Sequence, residues 1–359
     1  ATLGLLAPMS VTANELNLTE VSGYSSSEEV QNISEFNSKE LAVTNSRVDG
    51  LEARMNDFEA GSFSETTTAS FSTNFYVGAV DGGTLDSDDS LMATYDFQID
   101  LNTSFTGEDS LDISLDAGNS DKAGTAEFDG NGGSGQDALV VDGVSYTFPV
   151  GEKTTVMVGD NTDGSALFTT ACAYGGPSDT LDDCGNVNAG ITNGGAMVGA
   201  SYDFGGGWTG AVGYAGDNTS VMTDEGADAY GANVAYTADN YGISLTFGAI
   251  DSADSTDPQA VADYTDKYTA LNGYFIPDSE GFPSISVGYE IGEDDSAVST
   301  ADQLTSFFVG LSWDEFGAGT AGIAMGTKTP TVQDTDEEYM YEAYYSYDIN
   351  DGMTITPLV

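Results

Sequence analysis

From about residue 65 to the end, apolar and polar residues alternate one for one, interrupted only by connections. In 93–105, Ala93, Tyr95, Phe97, Ile99, Leu101 and Phe105 take one phase; Thr94, Asp96, Gln98, Asp100, Asn102 and Ser104 take the other. Leu111, Ile113, Leu115 and Ala117 alternate with Asp112, Ser114 and Asp116. Tyr241, Ile243, Leu245, Phe247 and Ala249 alternate with Gly242, Ser244, Thr246 and Gly248. A period of two belongs to the β-strand, whose successive side chains point to opposite faces. Similar runs lie near 71–80, 139–150, 154–159, 196–204, 208–215, 230–237, 271–276, 285–291, 307–313, 321–327, 339–347 and 353–359, which makes 15 strands.

The connections alternate too. Short ones read "TGEDS", "VGEK", "DFGGG", "TADN", "PDSEGFP", "DEFGAG" and "DINDG"; long ones run roughly over 81–90, 120–136, 161–194, 216–228, 251–266, 292–302 and 328–338. One trimmed rim and one elaborated rim is the pattern of an up-and-down antiparallel barrel. Aromatic residues flank every short turn: Phe105, Phe148, Phe204 with Trp208, Tyr236 with Tyr241, Phe275 with Phe282, Trp313 with Phe316, and Tyr347. Rings with an apolar body and a polar edge suit a lipid headgroup boundary. No stretch of the chain approaches the roughly 18 apolar residues of a membrane helix. The expectation is therefore a transmembrane barrel, apolar phase toward lipid and polar phase toward a wet interior. Bacterial barrels have even strand counts. We expect 16 strands, with the last segment, "MTITPLV", breaking off mid-strand.

The charge is extreme: 59 acids against 7 bases, with no His. Repulsion by phosphates excludes nucleic acid as a partner. Two readings remain for the acids, a solvated acidic surface or a cation-attracting conduit. Their position on the strands favours the conduit. Asp96, Asp100, Asp112, Asp116, Asp203, Glu290 and Glu342 all fall in the polar phase. On the lipid face such charges are destabilising. No Arg lies beyond Arg54 to oppose them, so they are expected to line a pore that attracts cations.

Cys172 and Cys184 sit in the longest connection, 161–194. Two Cys at this spacing without His make a poor zinc site, so a loop-closing disulfide is expected, and with it an oxidising compartment. Asp160, Asp163, Asp179, Asp182 and Asp183 accompany them. They are expected to line a constriction if the loop folds inward, and to be a solvated rim if it does not. Acid-rich stretches at 86–89, 129–137, 160–164 and 251–257 offer oxygen ligands for Ca²⁺ but none is a complete calcium loop. No catalytic motif is found, so no enzyme activity and no cofactor are expected.

Before the strands, residues 1–13 read as the end of a secretory signal peptide and 14–38 as a linker. Over 39–60, Leu41, Val48, Leu51, Met55 and Phe58 form an a/d seam, the mark of a short coiled-coil helix that wants partners. The barrel is assigned to 65–359.

The phrase "RVDGLEARMNDFEAGSFSETT" (47–67) resembles the junction between coiled coil and first strand in cyanobacterial outer-membrane porins, the iron-uptake or OprB-like carbohydrate-selective kind. The leader "LGLLAPMSVTANELNL" followed by "SSSEEVQNISEF" is similar to that of marine picocyanobacterial members. The resemblance implies an outer-membrane channel for small hydrophilic solutes and inorganic ions, a homotrimer, with the N-terminal helix in the periplasm. Family members usually carry a surface-layer-homology domain before the coiled coil. Here "FNSKELAV" joins the two directly, so the resemblance gives no ground for peptidoglycan contact. A structural barrel that tethers the envelope and a soluble acidic Ca²⁺-binding β-protein are the alternatives.

Overall fold

The computed structural model describes residues 67–79, 91–119, 137–178, 181–192, 195–223, 227–252, 264–279, 281–293, 303–327, 331–332 and 336–359. The expected signal-peptide remnant, linker and coiled-coil helix (Leu41, Val48, Leu51, Met55, Phe58) lie outside them. Among the described residues, no helix is long and apolar enough to cross a membrane.

The strands are β1 (Thr67–Gly78), β2 (Met92–Thr103), β3 (Ser110–Gly118), β4 (Val140–Val150), β5 (Thr154–Asp160), β6 (Ala196–Gly205), β7 (Trp208–Gly216) and β8 (Asp228–Thr237). They continue with β9 (Tyr241–Ser252), β10 (Tyr264–Phe275), β11 (Ser284–Glu293), β12 (Leu304–Phe316), β13 (Gly319–Thr327), β14 (Thr331–Val332), β15 (Tyr339–Asn350) and β16 (Met353–Ile355). Each pairs antiparallel with the next from β1 to β13; β13 then pairs with β15, and β15 with β16. The two-residue β14 sits beside β12. Beyond β16 the chain keeps to β15, with Ala343 N–H donating to Val359 O at 2.8 Å and Tyr345 N–H to Pro357 O at 3.1 Å. This is a meander of neighbours without crossovers, the topology of an up-and-down barrel.

Burial is inverted relative to a water-soluble sheet. On β9, Tyr241, Ile243, Leu245 and Phe247 are exposed, and Gly242, Ser244, Thr246 and Gly248 are buried. On β11, Ile285, Val287, Tyr289 and Ile291 are exposed, and Ser284, Ser286, Gly288 and Glu290 are buried. In water the apolar phase would be the hidden one. Strands such as β9 and β10, of 12 residues each, also suffice for the roughly 9–11 tilted residues that cross a bilayer. At the short-turn rim the aromatics lean on one another along and across strands. Tyr202 meets Phe204, Trp208 meets Tyr236, and Phe316 meets both Trp313 and Tyr345. Most of these rings are exposed outward, as an interfacial girdle requires.

Two elements differ from the sequence expectation. The strand expected over 271–276 begins seven residues earlier, at Tyr264. There the apolar phase changes sides: Tyr268 and Ala270 point inward and Lys267 and Thr269 outward. The inversion has a physical cause, because Tyr268 and Ala270 pack with Ala189 of the 161–194 loop, so the interior is dry at that point. The short β14 was not expected from the alternation at all.

Candidate pore and its inward loop

The loop between β5 and β6 is drawn into the barrel and laid along one wall, running out from β8 to β15 over residues 169–178 and back over β12, β10 and β11 by residues 184–189. Thr169 N–H donates to Asn233 Oδ1 on β8 at 3.0 Å, and Ala171 N–H to Ser244 Oγ on β9 at 2.8 Å. The Ser286 hydroxyl on β11 accepts from Ala173 N–H at 2.8 Å and Tyr174 N–H at 3.0 Å. Asn272 on β10 donates to Cys184 O at 2.8 Å, and Ser306 on β12 to Gly185 O at 3.0 Å. The wall's inward Ser and Asn therefore meet a backbone that has no strand partner of its own, as buried polar groups must.

Glycine makes the approach close enough. A Cβ on Gly213 would stand 1.8 Å from Gly164 O, and one on Gly288 1.8 Å from Cys184 O. Neither position admits any other residue while the loop lies where it does.

Cys172 and Cys184 form the expected disulfide, Cα–Cα 6.4 Å, and close the loop on itself. Tyr174, Leu181 and Cys184 pack with Phe308 and Ala324 of the wall. The barrel's apolar cores thus lie between loop and wall, where water has been displaced.

Glu290 and Glu342 are on the interior face, as the alternation expects, but they are only 1% and 4% exposed. Glu290 accepts Asn188 N–H at 2.9 Å, Ala189 N–H at 2.8 Å and Asn188 Nδ2 at 3.0 Å. Glu342 accepts the Tyr174 hydroxyl at 2.5 Å and also that of Ser178. The expected open pore charge is corrected at both positions. The loop covers these carboxylates and uses them as latches, each charge met by two or three donors. The burial and the acceptor raise the Tyr174 hydroxyl far above its usual range.

The opposite wall, β1 to β4, has no such cover among the described contacts. Asp100 accepts Gln98 Nε2 at 2.7 Å and Ser114 Oγ at 2.8 Å, and Asp112 accepts Asn102 Nδ2 at 2.5 Å and Ser110 Oγ at 2.7 Å. Both are part-exposed and stand among neutral donors. Asp96 and Asp116 lie higher on this wall and are buried. Asp142, missed in the sequence, joins them. It is the extra residue of a bulge where Ser114 and Leu115 face Gly143 and Val141, and bulges re-aim side chains. Its signal was the pair of adjacent valines before it, where strict alternation fails.

The remaining expected residues scatter. Asp203 is on the interior phase but at the short-turn rim, exposed, accepting Gly205 N–H at 2.7 Å. Asp160 is the last residue of β5 rather than part of the loop. It lies in phase with outward Val156 and Val158 and accepts Asn218 Nδ2 at 3.0 Å. Asp163 is in the loop and exposed; surrounding protein first, and the Asp142 charge second, raise its carboxyl above the usual range. Asp182 and Asp183 are exposed on the loop beside Cys184. Asp179 lies outside the described residues. Among the described residues, no three carboxylate or thiolate groups stand together at metal-coordination spacing.

A sheet that shows apolar side chains outward and a loop inward is the architecture of a porin barrel, and solved structures share it. The fold is similar to that of OprB from Pseudomonas putida (12% identity, 82% of this chain and 88% of that chain, TM-score 0.55). It is similar to OmpF from Salmonella typhi, solved with daunomycin (12% identity, 81% of this chain and 88% of that chain, TM-score 0.54). It is also similar to OmpT, an outer membrane protein of Vibrio cholerae in a trimer form (12% identity, 82% of this chain and 87% of that chain, TM-score 0.51). No family model matches the chain, and no curated relative matches it. The likeness is one of fold.

Proposed function

We propose that the protein is an outer-membrane porin whose interior favours cations and passes small hydrophilic solutes by diffusion. The observation that carries this reading is the asymmetry of the interior. One wall is sealed by the inward loop, and the facing wall presents Asp100 and Asp112 with neutral donors only. The described lysines do not offset them. Lys153 is in the turn before β5, and Lys267 is on the outward phase of β10. A ring of one sign in a narrow wet passage attracts counter-ions and repels co-ions.

The phrase at 47–67 supports placing the protein with the cyanobacterial porins, and with it a homotrimer, a periplasmic helix and uptake of iron or carbohydrate. Of these solutes, hydrated metal cations suit an acidic passage best. No energy coupling and no catalytic step enter this reading. The inverted burial speaks against a soluble protein, because exposed Phe, Leu and Ile along β9 and β11 would form an apolar belt in water.

The test is the reversal potential of the protein in a planar bilayer under a KCl gradient. Large steps with a cation-selective potential are the expected result. Absence of conductance from a folded, inserted barrel would leave the structural-tether alternative.

A further inference from the structure

The arm of the inward loop that returns toward β6, residues 185–192, gathers unfavourable features although most of it is buried. Five non-glycine residues among those described have positive φ, and Ile191, at 33°, is the only β-branched one. A β-branched side chain in that region is a genuine outlier, and it persists only where its surroundings over-determine it. Cys184, at the head of the arm, is another of the five, at 52°. Two of the seven buried side-chain atoms without a hydrogen-bond partner are here as well: Asn186 Oδ1 in the arm, and Asn272 Oδ1 on the wall at its head. Asn272 cannot turn its amide round, because its Nδ2 donates to Cys184 O at 2.8 Å. Reversing Asn186, whose Nδ2 reaches Thr170 Oγ1 at 3.4 Å, would strand the amide nitrogen instead. Such unmade bonds destabilise the seated arm, and access to water would satisfy them. The outgoing arm differs. Among the described residues of 169–178, none has positive φ and none leaves a buried side-chain atom unpaired.

Few contacts oppose these costs. Glu290 alone accepts Asn188 N–H, Ala189 N–H and Asn188 Nδ2, and Ser306 donates to Gly185 O. Ala189 packs on Tyr268 and Ala270. Ile191, fully buried, fills a notch left by two glycines: a Cβ on Gly164 would stand 2.9 Å from its Cδ1, and one on Gly248 3.1 Å from its Cγ2. Both ends of the arm are tied. Cys184 is bonded to Cys172, and Gly195 O accepts Asn161 N–H at 2.9 Å.

We infer that residues 185–192 are a detachable strap, which leaves β9 to β12 as one unit while the outgoing arm and the disulfide stay seated, and which widens the passage when it does. Backbone strain and the stranded amide oxygens favour release; the Glu290 latch and the Ile191 plug oppose it. Opposed terms confined to one segment make it bistable, as a gate must be. The widening rests on the channel reading above; the detachment does not.

The experiment uses the full chain folded in detergent and follows hydrogen exchange by mass spectrometry. Peptides covering 185–192 should exchange ahead of those covering 169–174, as a locally opening unit does. Glu290→Ala should speed exchange of the strap about tenfold or more, because it strands two amides, and should leave the outgoing arm as it was. Ile191→Gly and Ile191→Ala give a reading that general destabilisation does not confuse, since both lose the side chain. At an ordinary site the alanine variant is the more stable; at positive φ the glycine variant is. Ile191→Gly should therefore melt above Ile191→Ala and exchange its strap more slowly. Equal exchange in the two arms, or alanine above glycine, overturns the strap. In a planar bilayer, Glu290→Ala should spend longer than the natural protein in a higher conductance level. A single level from both overturns the gate. No current from either, with the exchange pattern as expected, counts against the channel reading and upholds the strap.

Discussion

The two walls of the barrel are made from the same repeating pattern and put to opposite uses. On β7 to β13 and β15, the interior phase is mostly small and neutral where the loop rests, and the two fully buried carboxylates there, Glu290 and Glu342, are spent on the loop. On β1 to β4, the interior phase is rich in Asp, and its carboxylates answer only to Gln, Asn, Ser and each other. A carboxylate's role here is set by what lies above it. Beneath a backbone with unpaired N–H groups it is a latch; on the uncovered wall it stands among neutral side chains.

The comparison breaks most readily at the loop. Replacing both Cys172 and Cys184 with Ser should cost about 2–4 kcal/mol, the usual value of a short disulfide-closed loop. Thermal melting should show it, and protease should cut 161–194 more readily in the variant. Gly288→Ala drives a methyl into Cys184 O and should cost about 1–3 kcal/mol as an overpacked contact. If the loop lifts to relieve it, single-channel conductance rises; an unchanged melting point would mean the loop does not rest there.

Glu290→Ala strands the Asn188 and Ala189 amides, at about 1–3 kcal/mol for the groups left unpaired. It should loosen the loop without changing ion selectivity much, because its charge is covered. The opposite wall should behave in reverse. The double change Asp100→Asn and Asp112→Asn should leave the stability, read by thermal melting, within about 0.5 kcal/mol of the natural protein, as surface changes do. It should move the reversal potential toward zero, and more so at low ionic strength. If Glu290→Ala shifts selectivity as much as this pair does, the distinction between the walls fails.

The smallest effect concerns the β2–β3 turn, where Asp109 accepts Tyr146 Oη at 2.6 Å, Thr106 N–H at 2.7 Å and Phe105 N–H at 3.0 Å. These donors, Tyr146 first, hold its carboxyl well below the usual range. A lowered folded value means that the contribution is complete above the ordinary aspartate value. It is lost only as pH falls through the lower one. Amide exchange at Phe105 and Thr106 should stay protected at pH values where a free aspartate is already protonated, and Asp109→Asn should remove that protection.

The sequence was most legible where one rule acted alone. Ile285, Val287, Tyr289 and Ile291 face outward because period two allows nothing else once the polar phase is committed inward. The girdle residues, such as Trp208 and Phe316, were readable from their place beside short turns. The start of β10 was not, because Tyr268 and Ala270 reverse the phase to suit a loop about 80 residues earlier in the chain. Asp142 was hidden by a bulge, which alternation registers only as an error.

Local pattern and net charge therefore determined the strands, the inside and outside of the sheet, the disulfide and the acidity of the interior. Those depend on neighbours in the chain and on the solvent each phase prefers. The tertiary structure alone decided which carboxylates face water and which hold the loop. Glu290 and Asn188 are 102 residues apart, and Glu342 and Tyr174 168 apart. Nothing along the sequence marks such pairs until the sheet has curved and brought the loop onto its wall.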